Sequence, residues 1–197
     1  MKIRTSLLLL SLIVLLCSCR HKDYVPKPQA YLRIDLPAAQ YHCITSIDNF
    51  ALPFSFEMNN QATVTLKKRT TRDVWVDINY PRWNGVIFLS HKNIHGINDL
   101  RGQTDTSARL LESHYQFASG VDEGNYDNPD KRVFGTTYHL RGNKVASTYQ
   151  FWVTDSIHHF LRGALYLNQT PNNDSLAPIL DYIQSDIDHL IETLVWE

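Results

Sequence analysis

Cys19 is the residue with the most definite chemistry. It closes the stretch Leu16-Cys17-Ser18-Cys19, a branched residue, two small ones and a cysteine. That is the pattern of a lipobox, in which the thiol is diacylated and the chain is cut just before it. Lys2 and Arg4 precede the apolar run from Leu7 to Cys19. A positive region followed by a short apolar one describes a secretory signal, and the run is too short for a spanning helix of about 20 apolar residues. Residues 1–18 are therefore expected to be a lipoprotein signal peptide and Cys19 the first residue of the mature chain. A plain signal peptide cut at a nearby small residue is the bland alternative.

Other reactive types are present without the spacing that makes them a site. Once Cys17 leaves and Cys19 carries lipid, Cys43 is the one remaining thiol. No local motif marks it as a nucleophile, and it reads as a small buried hydrophobe. There is no C-x-x-C, H-E-x-x-H, G-x-S-x-G or glycine-rich phosphate loop. The nine histidines are scattered, and the adjacent His158 and His159 would face opposite sides of a strand and could not share a metal. Asp73 and Asp77 fall on one strand face, and Asp122, Glu123, Asp127 and Asp130 crowd one segment. Neither set has calcium-loop spacing, so both read as solvated acids. The sequence predicts no catalytic residue, cofactor site or metal site. Tyr80-Pro81-Arg82-Trp83 stands out instead, because a hairpin tip is usually polar. Arg82 and Trp83 are of the types enriched where proteins dock, so they are the candidate partner-binding residues. Trp83 folding back over the sheet edge is the structural alternative.

The elements that would position these residues are short. From Arg20 to about Tyr31 the chain has little to bury, and Val25-Pro26-Lys27-Pro28 favours an extended tether. An ordered arm docked through Tyr24 and Tyr31 is equally open. Phe54–Met58 and Ala62–Leu66 alternate apolar with polar, with Asn59-Asn60-Gln61 as a turn between them. Val74–Ile78 and Val86–Leu89 flank Asn84-Gly85, a strong hairpin signal. Ile97, Leu100, Ala108, Leu111, Tyr115 and Ala118 predict a helix, weakened at Gly102, so that its start is expected nearer Asp105. Gly120–Asp130 reads as loop, and Val133–Leu140, Val145–Val153 and Phe160–Leu167 as an antiparallel meander. Last comes a helix over 174–195, capped by Asp174 or Ser175 with Pro178 in its first turn. Its apolar stripe runs Leu176, Ile179, Leu180, Ile183, Ile187, Leu190, Ile191 and Leu194.

Composition agrees with this organisation. At 43% hydrophobic and 20% charged, the chain can fill a core. Its 197 residues leave room for one globular domain over 32–197, after the signal (1–18) and the lipidated tether (19–31). Lys2 and Arg4 leave with the signal, so the balance moves from 19 bases against 20 acids to 17 against 20, a net of −3. That excludes a basic field for nucleic acid, and membrane attachment must come from lipid. The element order predicts an α+β fold, a largely antiparallel sheet with helices packed on its faces. A fold of the kind seen in Mog1 and PsbP proteins would fit.

Several stretches together resemble one family. Tyr31-Leu32-Arg33-Ile34-Asp35-Leu36-Pro37, Leu52-Pro53-Phe54-Ser55-Phe56-Glu57 and Asn79-Tyr80-Pro81-Arg82-Trp83-Asn84-Gly85 are similar to the gliding-motility lipoprotein GldD family. So are Lys131–Gly135, Thr154-Asp155-Ser156, His159–Tyr166 and Asp188–Leu194. The resemblance implies a non-enzymatic envelope component needed for gliding and linked to type IX secretion. Its expected partners are other gliding and secretion proteins, with no small-molecule substrate. It offers no catalytic residues to carry over, only the lipidated Cys19. The expected location is lipid-anchored and periplasm-facing, with Arg20 after the lipid cysteine favouring the outer membrane. An envelope ligand-binding or hydrolytic domain, built from the acids and histidines, is the alternative.

The lipobox has a direct test. Cys19→Ala should accumulate with its leader uncut and be mislocalised while the domain still folds. Processed, detergent-phase protein from that variant would refute the assignment.

Overall fold

Alternation builds most of the strands, and pairing between distant segments decides where each one goes. The computed structural model describes residues 34–71 and 73–197; Cys19 and the proposed tether lie outside them. Seven strands form one antiparallel sheet: β3 (Thr63–Arg69), β4 (Asp73–Tyr80), β5 (Gly85–Asn93), β6 (Gly120–Asn128), β7 (Val133–Arg141), β8 (Tyr149–Thr154) and β9 (His159–Leu167). Their order is β3-β4-β5-β9-β8-β7-β6. A second, three-stranded sheet has β2 (Phe50–Asn59) between β1 (Tyr41–Ile47) and the short β10 (Val195–Trp196). Among the described residues two α-helices, α1 (Ile97–Glu112) and α2 (Asn173–Thr193), complete the α+β architecture.

The two faces of the large sheet carry different covers. Ile78, Ile87, Leu89, Phe151, Val153, Leu161 and Leu165 alternate onto one face and share a single core with α2 and β2. Within α2, Ile183 and Ile187 are completely buried, as a continuous apolar stripe requires. Each such side chain contributes roughly 1.5–3 kcal/mol by leaving water. On the opposite face α1 makes a smaller cluster in which Leu111, Leu140 and Val145 are buried.

Several expectations are corrected. The chain does turn after β2, where the Ala62 N–H donates to the Asn59 carbonyl at 3.0 Å. The flanking strands nonetheless join different sheets, so this is a corner and not a hairpin. Segment 120–128 is an edge strand, not a loop: β7 offers an open ladder, and nine consecutive residues pair along it from Gly120↔Arg141 to Asn128↔Val133. Its acids suit an edge, since charge there discourages pairing with another chain. Helix α1 begins at Ile97, well before Asp105, and the Asp99 carboxylate accepts the His95 N–H at 2.9 Å just ahead of it. Its buried side is the rotated and more polar stripe through Leu100, Gln103, Thr104, Ser107 and Leu111, which leaves Ile97 65% exposed.

Helix α2 starts at Asn173, not Asp174, because the Asn173 amide donates to the carbonyls of Gly142 and Val145 at 2.7 and 2.9 Å. Pro178 thus sits in its second turn rather than its first, exposed, where its missing N–H removes one intrahelical hydrogen bond. Val145 precedes β8 and packs under α1. Cys43 is exposed rather than buried: on the edge strand β1 it is Ile44 and Ile47 that turn inward.

The α2 stripe makes the core testable. Ile187→Asp places an unpaired charge in a dry site, a cost of several kcal/mol against a total of roughly 5–15. The variant should be unfolded by circular dichroism at ambient temperature; a melting curve like the parent's would contradict the packing described.

Candidate functional site

The hairpin tip is tighter and more enclosed than the sequence suggests. Strands β4 and β5 close at Tyr80↔Gly85, and a single 3-10 turn, Pro81–Trp83, lies between them. Asn84 takes the left-handed conformation (φ 52°) that ends this turn, so the reversal is not a two-residue Asn-Gly turn. The turn swings Trp83 inward. Its indole is only 7% exposed, edge-on to Tyr182 at 5.0 Å and stacked with Tyr80 at 6.0 Å. The expectation that Arg82 and Trp83 project together is therefore corrected for Trp83, whose large apolar surface gains more by folding back than by facing water. Arg82 stays outside and donates to the Asp35 carbonyl at 3.2 Å, holding the entering chain against the tip.

Beneath Trp83 lies a polar cluster that sequence reasoning did not find. The Asp186 carboxylate, 5% exposed on α2, accepts the Tyr41 hydroxyl at 2.8 Å, the Tyr80 hydroxyl at 2.9 Å and the Asn59 amide at 2.9 and 3.0 Å. The same amide reaches the Tyr182 hydroxyl at 2.8 Å. Burial first, and then the neighbouring carboxylate, push both the Tyr41 and Tyr80 hydroxyls far above the ordinary tyrosine range. They remain protonated donors, so the arrangement holds the Asp186 side chain in place. The Tyr41 ring continues outward onto His189 at 3.8 Å, and His189 pairs with Glu57 at 2.7 Å.

A second cluster joins residues far apart in sequence. His91 on β5 and His159 on β9 are diagonal neighbours on the inner face, with Nε2 and Nδ1 at 3.0 Å. Phe54 flanks His91 at 5.5 Å, and Trp196 stacks flat on His159 at 5.1 Å and 11°. The Trp196 indole donates to the Arg132 carbonyl at 3.0 Å. His91 is 2% exposed, and burial above all, helped by His159, lowers its pKa to about 4. Its Nδ1 has no hydrogen-bond partner among the described residues. On the outer side an open cleft of about 440 Å³ is lined by Lys131, Arg132, Asp155, His159 and Trp196 among others. Burial pushes Asp155 upward, but backbone N–H groups of His159, Ile157 and His158 outweigh it and hold the carboxyl below its usual range. The cleft thus presents neutral imidazole, indole and mixed charge.

Three of the six acids singled out in the sequence form ion pairs. Asp73 takes Lys92 at 2.7 Å, Asp77 takes Lys67 at 3.3 Å and Asp122 takes Arg141 at 3.0 Å. Among the described residues no three His, Cys, Asp or Glu side chains converge as metal ligands.

A family model described as gliding motility lipoprotein GldD matches residues 21–196, nearly the whole chain. The chain belongs to the GldD family. As a gliding-motility lipoprotein it is a membrane-anchored protein of the cell envelope, and no helix among the described residues is long and apolar enough to cross a membrane. No curated protein matches this GldD-family chain. Among solved structures it is similar to the cyanobacterial PsbP protein CyanoP of Synechocystis sp. PCC 6803. That match has 13% identity and a TM-score of 0.48, over 84% of this chain and 98% of CyanoP.

The histidine pair makes stability depend on pH. His91 is neutral in the fold, whereas the unfolded chain takes up a proton as pH falls through about 6.5. Its contribution is therefore complete above 6.5 and is lost as pH falls toward about 4, a difference on the order of 3 kcal/mol. Burial also lowers the pKa values of His159 and His114, which add in the same direction. Urea unfolding between pH 7 and 4.5 should show declining stability, with a clearly shallower slope in His91→Gln. Equal slopes in the two proteins would remove His91 from this account.

Proposed function

We propose that this GldD-family protein is a non-enzymatic, lipid-anchored component of the gliding machinery that also supports type IX secretion. It acts by protein–protein contact to assemble or stabilise an envelope complex, from the outer membrane and facing the periplasm. The observation that carries this reading is the family match, which runs from residue 21 through the domain and so includes both the chain beyond Cys19 and the core. The use of buried polar groups supports it. The Asp186 carboxylate is occupied by hydroxyl and amide donors from three strands, an arrangement that stiffens a scaffold.

A second reading keeps one observation of its own. The open cleft beside His159, with the unpartnered His91 nitrogen behind it, suits an envelope ligand-binding domain. A deletion strain separates the two. Under the leading reading, deletion abolishes both spreading on agar and secretion of type IX cargo, and His91→Gln with His159→Gln, expressed at normal level, restores both. Intact cargo secretion in the deletion strain would defeat the secretion role. Failure of the double variant to restore function, at normal abundance, would favour the cleft.

A further inference from the structure

The ends of the large sheet differ in what they expose. One end is formed by the Tyr80–Gly85 closure, the last residues of β9 and β7 and the start of β6. Helix α1 runs toward it: near its beginning Ile94 and Gly96 donate to His158 and Ile157, while beyond its end His114 meets the Tyr166 hydroxyl at 3.2 Å. The Ser119 N–H then donates to the Arg141 carbonyl at 2.7 Å, bringing the 3-10 turn Tyr115–Phe117 to this same end. The outer face there is aromatic. Phe88 lies 5.6 Å from Tyr166, which is 6.0 Å from His114. Phe88, Leu110, Tyr115 and Phe117 are 43%, 48%, 46% and 52% exposed, whereas around the start of α1 the aliphatic Ile97 and Ile157 are 65% and 43% exposed, so the exposed aromatic rings gather at this end.

The entering chain reaches the domain at this end as well. Ile34 and Leu36 pack against the core, and Arg82 at the hairpin tip holds the Asp35 carbonyl. Between Cys19 and Ile34 there are 14 residues, which span at most about 50 Å when fully extended. A lipid on Cys19 therefore keeps this end within a few tens of Å of the bilayer, at an effective concentration where even a weak surface affinity is satisfied.

We infer that the aromatic face around Phe88, Tyr166, Tyr115 and Phe117 rests on the lipid surface, so that the domain is docked on the membrane as well as tethered to it. Tyrosine and phenylalanine are suited to the boundary between headgroups and acyl chains, where an apolar ring is buried and a hydroxyl stays wet. Glu112 and Glu123 lie near Tyr115 and Arg162 lies near His114 and Tyr166, so the face carries both signs; the contact draws on apolar burial and works on neutral lipid. This inference rests on lipidation at Cys19, which the Cys19→Ala processing test examines separately. Docking of this kind would set which faces of the domain remain open to a protein partner.

The test uses the full lipidated chain, reconstituted at about one molecule per vesicle into phosphatidylcholine–phosphatidylethanolamine vesicles. Nitroxide labels are placed by Phe117→Cys and, at the other end of α1, by Ile97→Cys, each in a Cys43→Ser background. All three positions are exposed, so folding should be retained, and Leu110→Cys replaces Phe117→Cys if that variant melts early. The label at 117 should collide with oxygen and be shielded from a water-soluble nickel complex, while the label at 97 should report water. Replacing Phe88 and Tyr115 by serine should weaken docking by about tenfold or more. Equal water exposure at 117 and 97 would overturn the inference. So would shielding at 117 that appears only at high protein density with dipolar broadening, which would identify a second copy as the occupant.

Discussion

A buried carboxylate sets the arrangement of this domain. Asp186 sits on the apolar face of α2, where an unpaired charge would cost several kcal/mol. It is tolerated because Tyr41 from β1, Asn59 from β2 and Tyr80 from β4 all donate to it. These strands belong to two different sheets, so one side chain fixes the rotation of α2, the position of the small sheet and the end of the β4–β5 hairpin together. An apolar contact would allow sliding. A set of directed hydrogen bonds in a dry site does not, because any shift leaves a donor or the carboxylate unsatisfied. Trp83 then closes over the cluster through Tyr80 and Tyr182.

The opposite face follows a looser rule. Under α1 the sheet presents Gln150 and Arg162, and Ser107 is one of only two buried side chains on the helix. The Ser107 hydroxyl and the Gln150 amide nitrogen are buried without hydrogen-bond partners among the described residues, and burial lowers the pKa of Arg162. Apolar burial is slight there and polar satisfaction incomplete, the conditions under which a segment opens locally at low cost. The domain thus combines a rigid side built on α2 with a more adaptable one that carries its exposed aromatic residues.

The histidine column shows how a polar group can enter the rigid side without being paired by charge. His91 is placed by register alone: the pairing Asn93↔His159 sets the two rings diagonally, and Trp196 from the last strand caps the stack. Burial keeps His91 neutral, so the contact is a hydrogen bond between imidazoles rather than a repulsion. Joining β5, β9 and β10 in this way makes a stretch of core that depends on protonation.

Much of this was legible from local pattern. The alternation in β2 to β5, the meander of β7 to β9 and the broad stripe of α2 all repeat within ten residues or so, and short-range periodicity reports which side of an element will be dry. From the same patterns the α+β class followed. What tertiary structure alone decided involves partners far apart in the chain. Segment 120–128 has no strand signal of its own and becomes one because β7 lends it a ladder. Trp83 looks like a docking tip until Tyr182, 99 positions later, supplies a surface to cover it. Asp186 and His91 read as ordinary polar residues, and only the convergence of Tyr41, Asn59 and Tyr80, or of His159 and Trp196, shows that they lie inside. Periodicity states how a residue faces within its own element, whereas burial of a polar group depends on donors that distant strands bring to it.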